Sequence, residues 1–289
     1  MPWCSRPTHG DAYVHRQASR CAAATGPGDF FISVDETNGA MGPIPFDRVI
    51  RTNNAELIAS GLADRFEKGS LLWWNPDYVH YQFQDRHPDY DYYVFVEYDA
   101  VIYGGIAPLI QRAAALHADL VTLPIRTPVE DWYWAIFHQQ TYPLAELRGA
   151  LNCMAVFSSR ALGMLGRRRR EMATNGQSLY WPSSEAFIPT EIGRAGYSCH
   201  SLAEFGDVSG YDWFPPLLEE DLPAVSGAAF FSPGARSPAL HRIDVEIDQG
   251  SCAASSIRTA RCDAGSPGFR AKTICRCSQP QHATGSRRI

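Results

Sequence analysis

The sequence predicts an α/β fold, a mostly parallel central sheet with helices on both faces, and three observations predict it. From residue 29 onward, strand-like and helix-like segments alternate in the order β-α-β-α-β. The strand segments are apolar runs, not apolar-polar alternations, as in strands buried on both faces. Two of them end in acids, "DFFISVD" at Asp35 and "DYYVFVEYD" at Glu97 and Asp99. An open parallel sheet binds its ligands outside those carboxyl ends.

Residues 1–28 show neither a helical nor a strand period, and Gly26, Pro27 and Gly28 close them off, so a loose arm is expected there. "DFFISVDETNG" is a strand running into a turn at Asn38-Gly39. "TNNAELIASGLADRF" follows as an amphipathic helix, with Asn53 placed to cap, Glu56 three residues on, and Ile58, Leu62 and Phe66 a turn apart. Tyr92 to Glu97 makes the second strand, a helix spans about Ile106 to His117, and "DLVTLP" makes the third strand at 119–124. "NCMAVFSS" is another buried strand, "SSRALGMLGRRRREMA" a capped helix, "SSEAFIPTEIGRAG" a helical segment and "YSCHSL" a short strand. From about residue 242 the chain turns rich in Ser, Arg, Cys and Gly. Such a stretch does not offset the roughly 1–2 kcal/mol per residue that ordering a backbone costs, so 242–289 is expected to be a disordered or non-native tail. The ordered domain then covers 29–241.

Composition narrows the function. With 289 residues, 45% hydrophobic and 20% charged, the chain has enough apolar material for a large core, which excludes disorder throughout. A net charge of −5 argues against nucleic acid as the main partner. No apolar run reaches the roughly 20 residues that cross a bilayer, and the N-terminus lacks the apolar centre of a secretory signal. A cytoplasmic protein is expected, with room for peripheral membrane contact. The eight cysteines are scattered or, as with Cys275 and Cys277, too close for a zinc knuckle, and are expected as unpaired thiols. Arg167 to Arg170 fall late in a helix, where cations complement the dipole and a solvated face is expected.

Glu97 and Asp99 are the residues that need a reason. Two carboxylates one residue apart can point to one side, where they repel unless a hard divalent cation or hydrogen-bond donors intervene. Mg2+ or Mn2+ held that way keeps open positions for phosphate oxygens, so an acidic pair, a metal and a diphosphate make one coherent site. With this in place, "YDYYVFVEYDAVIYGG" resembles the strand and D-x-D-type motif of GT-A fold glycosyltransferases, here written E-Y-D. The resemblance covers residues 30 to about 241. It implies a Rossmann-like nucleotide-sugar-binding half and an acceptor half, a nucleotide-diphospho-sugar donor, a carbohydrate or lipid-linked acceptor, and Glu97 and Asp99 at Mn2+ or Mg2+. The class often adds a late His to the metal, and His241 falls where such a residue would lie. The class also opens with a strand that contacts the base, and nothing before Gly28 resembles one, so a shortened chain is expected.

Sugar transfer needs a stabilised leaving group and a base for the acceptor hydroxyl. Glu185 is the preferred base, because Trp181 and Phe187 flank it and burial would raise its pKa; Glu191, six residues on, is the other candidate. Trp132 and Trp134, in "PVEDWYWAIFHQQTY", offer flat faces for donor or acceptor rings. Asp35 is a candidate contact to the donor's ribose or base. Three rivals stand beside transfer. A nucleotidyltransferase would want a Gly-rich phosphate loop, of which "VDETNGAMGPIPFDR" is a diffuse version. A glycoside hydrolase would pair Glu97 with Glu185 about 5 Å apart. An inactive nucleotide-sugar-binding remnant is the third.

Overall fold

The computed structural model describes residues 12–26, 28–98, 100–125, 128–176, 179–211, 230–231 and 271–277. In chain order the elements are α1 (Ala12–Thr25), β1 (Asp29–Asp35), β2 (Val49–Thr52), α2 (Asn54–Ala59), α3 (Leu71–Trp74), α4 (Asp77–Arg86), β3 (Tyr92–Glu97), β4 (Val101–Ile102) and α5 (Ile106–Ala115). Then come β5 (Leu120–Pro124), α6 (Ala135–His138), β6 (Ala150–Ser158), α7 (Ser159–Asn175), α8 (Ser184–Arg194), β7 (Cys199–Ser201), β8 (Phe230–Phe231) and β9 (Ala271–Cys277).

Seven strands form one mixed sheet in the order β2-β1-β9-β3-β6-β5-β7, and β4 pairs with β8 in a small second sheet. β6 runs antiparallel to both β3 and β5. The other four pairings are parallel, so the sheet is mostly parallel as its apolar strands require. Strand side chains alternate between two cores. Tyr93, Phe95, Ala155 and Phe157 face the side covered by α4, α7 and α8, while Tyr92, Val94, Val96, Met154 and Val156 face the side covered by α1 and α5. Each large ring buried this way contributes about 1.5–3 kcal/mol relative to exposure. Among the described residues no helix is long and apolar enough to cross a membrane.

Four expectations are corrected. Within the expected N-terminal arm, residues 12–25 are not loose, because α1 packs Ala18 and Cys21 into the core beneath α5 and the sheet, while residues 1–11 lie outside the described residues. Its inward residues do recur at helical spacing, but they are small or, like the buried Gln17, polar, so the period is faint in hydrophobicity. The tail is not wholly without structure, since Ala271–Cys277 forms β9 between β1 and β3. Backbone ladders on both edges hold the segment, and Ile274 is buried in the core. The rest of 242–289 lies outside the described residues. The helix expected to reach Phe66 stops at Ala59, after Asn53 accepts the Glu56 N–H at 3.0 Å as expected. Gly61, at φ +86°, ends it in a Schellman turn in which the Leu62 N–H donates to the Leu57 carbonyl at 3.2 Å. Leu57 is buried in consequence, while Ile58 and Phe66 stay exposed.

The arginine run is the fourth correction. Arg169 is fully buried: its Nε donates to Asp77 at 2.7 Å, its Nη1 to the Pro182 carbonyl at 3.0 Å, and its guanidinium lies 3.8 Å from the Phe187 ring. One face of α7 points at α4 and α8, and a helix carries every third or fourth residue of a charge run inward.

Candidate active site at the rim of the central sheet

β3 delivers Glu97 to the carboxyl edge of the sheet because its preceding residues, Tyr92 to Val96, are all buried and fix the strand's depth. α4 starts beside that edge, bringing Pro76, Val79 and His80, and α8 starts there too, bringing Ser184 and Ile188. With Phe95, Val96, Asn152 and Ile274 these residues line a cavity of about 10 Å³. That is room for about one water molecule, so a larger ligand has to lie across the rim rather than inside.

α8 is held at its start by three contacts. The Asn152 side chain accepts the Thr122 hydroxyl at 3.0 Å and donates to the Ser184 carbonyl at 3.3 Å, tying β5 and β6 to the helix. Arg169 holds Pro182 from the other side. Ser183, at the N-cap, makes no side-chain cap bond, and its Oγ lies 3.1 Å from His138 Nε2. His138 is fully buried, and burial, then the Arg169 charge, lowers its pKa to about 4, so its ring is neutral at pH 7.

Glu185 sits in the first turn of α8, where the dipole favours its charged form. Burial wins nevertheless: desolvation, then the negative charge of Glu97, raises its pKa from 4.5 to about 7. Glu97, at the end of β3, and Glu185, in the first turn of α8, therefore lie close enough for the charge of one to raise the pKa of the other. The aromatic neighbours Trp181 and Phe187, which made Glu185 stand out in the sequence, are both fully buried.

The remaining candidates scatter. Glu191 is buried two turns along α8 with Arg168 at 3.2 Å and Arg194 at 3.4 Å, which gives it partners away from Glu185. Asp35 ends β1 as expected, but its Oδ1 accepts the Thr37 N–H at 2.9 Å and the Thr37 hydroxyl at 2.6 Å, the bonds of a turn former. Trp132 is half-buried over Gly149, where an added Cβ would come within 3.2 Å of its ring, and it lies 5.3 Å from His138. Trp134 is half-buried, edge-on to Trp74 at 5.9 Å and under the Lys68 ammonium at 5.0 Å. Asp99 and His241 lie outside the described residues. Among the described residues no group of three or more metal-ligating side chains gathers.

Two residues that line the cavity, His80 and Asn152, and one in contact with the α8 N-cap, His138, are not among the candidates from sequence. His80, stacked on Phe95 at 3.7 Å, comes from a helix whose sequence, "DYVHYQFQDR", carries no clear apolar stripe. Asn152 had a signal, a polar residue opening an otherwise apolar strand. His138 had none beyond its place after the tryptophans.

No protein-family model matches the sequence. No curated protein matches it either. Among solved structures, apo mouse xyloside xylosyltransferase 1 aligns with 78% of this chain and 93% of its own, at 11% identity and a TM-score of 0.40. Likeness of that degree leaves the functional reading to the rim itself.

Proposed function

We propose that the chain is a glycosyltransferase that moves a sugar from a nucleotide-diphosphate donor to a hydroxyl acceptor. The observation that carries this is the acid pair: Glu185, raised to about 7, within reach of the charge of Glu97 at the end of β3. A base for a sugar hydroxyl works best when its pKa lies near the operating pH, and Glu185 meets that condition. In the transfer step the Glu185 carboxylate takes the acceptor's hydroxyl proton as that oxygen bonds to the sugar's anomeric carbon. The bond from that carbon to the phosphate oxygen breaks, and the nucleoside diphosphate leaves.

A divalent ion is assigned to the end of β3, where Glu97 is its one proposed ligand among the described residues. Glu97 supplies a hard oxygen at the rim, and its charge raises the Glu185 pKa, a repulsion that a cation would relieve. Asp99, two residues on, is the second ligand in this reading. When bound, Mn2+ or Mg2+ would neutralise the leaving diphosphate. His241 stays a proposal on the family resemblance alone, and so does Asp35 as a donor contact.

Calorimetry of UDP and GDP with the full chain in Mn2+ tests the donor half. Micromolar binding that weakens at least tenfold in Asp99→Ala and in Glu97→Gln is expected. Equal binding by all three proteins would remove the metal site. Cleavage of free glycosides without any nucleotide would favour the hydrolase reading, for which the same two acids would serve.

A further inference from the structure

The three strands at the middle of the sheet end together. β9 runs parallel to β1 on one side and to β3 on the other, with Val34 level with Cys277 and Glu97 level with Arg276. Residues level with one another on adjacent parallel strands share a face of the sheet, about 4.8 Å apart. Ile274 is level with Phe95, and both are buried in the core on the α4 side and line the cavity at the rim. Two residues further along each strand, on that same face by the period of two, stand Arg276 and Glu97. β9 thus sets an arginine at the sheet's carboxyl edge, between the strand that ends in Asp35 and the strand that ends in Glu97.

The charges around that edge give the arginine a use. Asp35 and Glu97 end the flanking strands, and Glu185 lies within reach of the Glu97 charge, so a diphosphate approaching them meets repulsion. Arginines on the elements around the edge have protein partners. Arg51, on β2, donates to the Glu36 carboxylate and, at 2.9 Å each, to the Met41 and Gly42 carbonyls. Arg169 is enclosed with Asp77 and the Pro182 carbonyl, and Arg65 lies over the Trp181 ring with Glu67 at 3.7 Å. A guanidinium keeps its charge at every working pH and meets two phosphate oxygens at once through its planar fork. Ligands of a parallel sheet bind outside the carboxyl ends of its strands, and Arg276 is one residue from the end of β9.

We propose that Arg276, carried to the rim by β9, grips the diphosphate of the nucleotide donor, so that residues 271–277 are part of the donor site. The identity of the anion rests on the transferase reading, but the site is tested without it. Calorimetry follows UDP and GDP on the full chain in EDTA and in Mn2+, and uridine, guanosine and pyrophosphate in EDTA. Arg276→Gln is expected to bind pyrophosphate and the better nucleotide at least tenfold more weakly than the wild type, in EDTA as in Mn2+, because a charge-assisted pair is lost. Nucleoside binding is expected to be unchanged. Arg276→Lys keeps the charge without the fork and is expected to lose about fivefold. Diphosphate binding that Arg276→Gln leaves intact overturns the proposal, and a lowered urea midpoint beside it would assign Arg276 to pairing with Glu97. Equal weakening of nucleosides and nucleotides also overturns it, since that marks a residue that only holds the strand. Should Arg276→Gln fail to fold, Arg276→Lys carries the test, and undiminished pyrophosphate binding in that variant overturns the proposal. Nucleotide binding untouched by Arg276→Gln removes this inference alone. Pyrophosphate bound through Arg276 without binding of either nucleotide removes the transferase reading and leaves the anion site standing.

Discussion

Glu185 and His138 are shifted by burial in opposite senses, and their effects on stability oppose each other. Unfolded Glu185 loses its proton near 4.5 and folded Glu185 near 7, so the folded state binds the extra proton between them and stability falls as pH rises through that window, by about 3 kcal/mol in all. Unfolded His138 gains a proton below 6.5 while the folded ring resists until about 4, so stability falls as pH drops, again by about 3 kcal/mol. Between 4.5 and 6.5 the two slopes cancel. Glu185→Gln removes one of them, and urea midpoints of that variant are expected to fall steadily from pH 6.5 to 4.5, while those of the wild type change little. A midpoint that stays flat in the variant would mean that His138 is not held neutral by burial. The Glu185 shift was legible in sequence because Trp181 and Phe187 advertise burial on either side. The His138 shift was not, because its burial comes from Trp74, Trp132 and Tyr180, brought together from three separate segments.

At the scale of elements, helices and strands with strong apolar periods were legible and those carried by other means were not. β1, β3, β5, β6, α5, α7 and α8 all fall where the apolar pattern put them. α1 was missed because small residues line its inner face, and α4 because Asp77, His80 and Gln82 are buried among its rings. β9 was missed because strand pairing across more than 170 residues, as between Val96 and Cys275, leaves no local mark. The buried Arg169–Asp77 pair explains how α4, α7 and the start of α8 stay registered. Arg169→Met leaves Asp77 buried without its partner and is expected to cost about 3–5 kcal/mol in urea unfolding. Adding Asp77→Leu is expected to return most of that loss, since replacing both charges with apolar groups removes the desolvation penalty. A loss below about 1 kcal/mol in the single variant would show that the pair does not hold the three helices together.

At the scale of the whole molecule, the sheet turns a linear sequence into a rim. β3 places Glu97, β6 places Asn152, α4 places His80, and α8 brings Glu185 within reach of the Glu97 charge, although His80 and Glu185 stand 105 positions apart in the chain. The E-Y-D run marked where the rim would be, but nothing local to it could say which distant acid would join it. The aromatic neighbours already set Glu185 ahead of Glu191 in the sequence, and the packing of Arg168 and Arg194 against Glu191 separates them further. The central claim is that Glu185 acts as the base of a sugar transfer beside Glu97. It is tested most directly by the release of nucleoside diphosphate from UDP- and GDP-sugars, in Mn2+ with a neutral acceptor, between pH 5.5 and 9. The wild-type rate is expected to rise with pH and level off by about 7, as Glu185 loses its proton, with the rise shifted to lower pH to the extent that Mn2+ offsets the Glu97 charge. Glu185→Gln is expected to lose about 100-fold or more in rate together with that rise. A Glu185→Gln enzyme that keeps both the rate and the rise near pH 7, or a wild type that releases no nucleotide from any donor, would contradict the account.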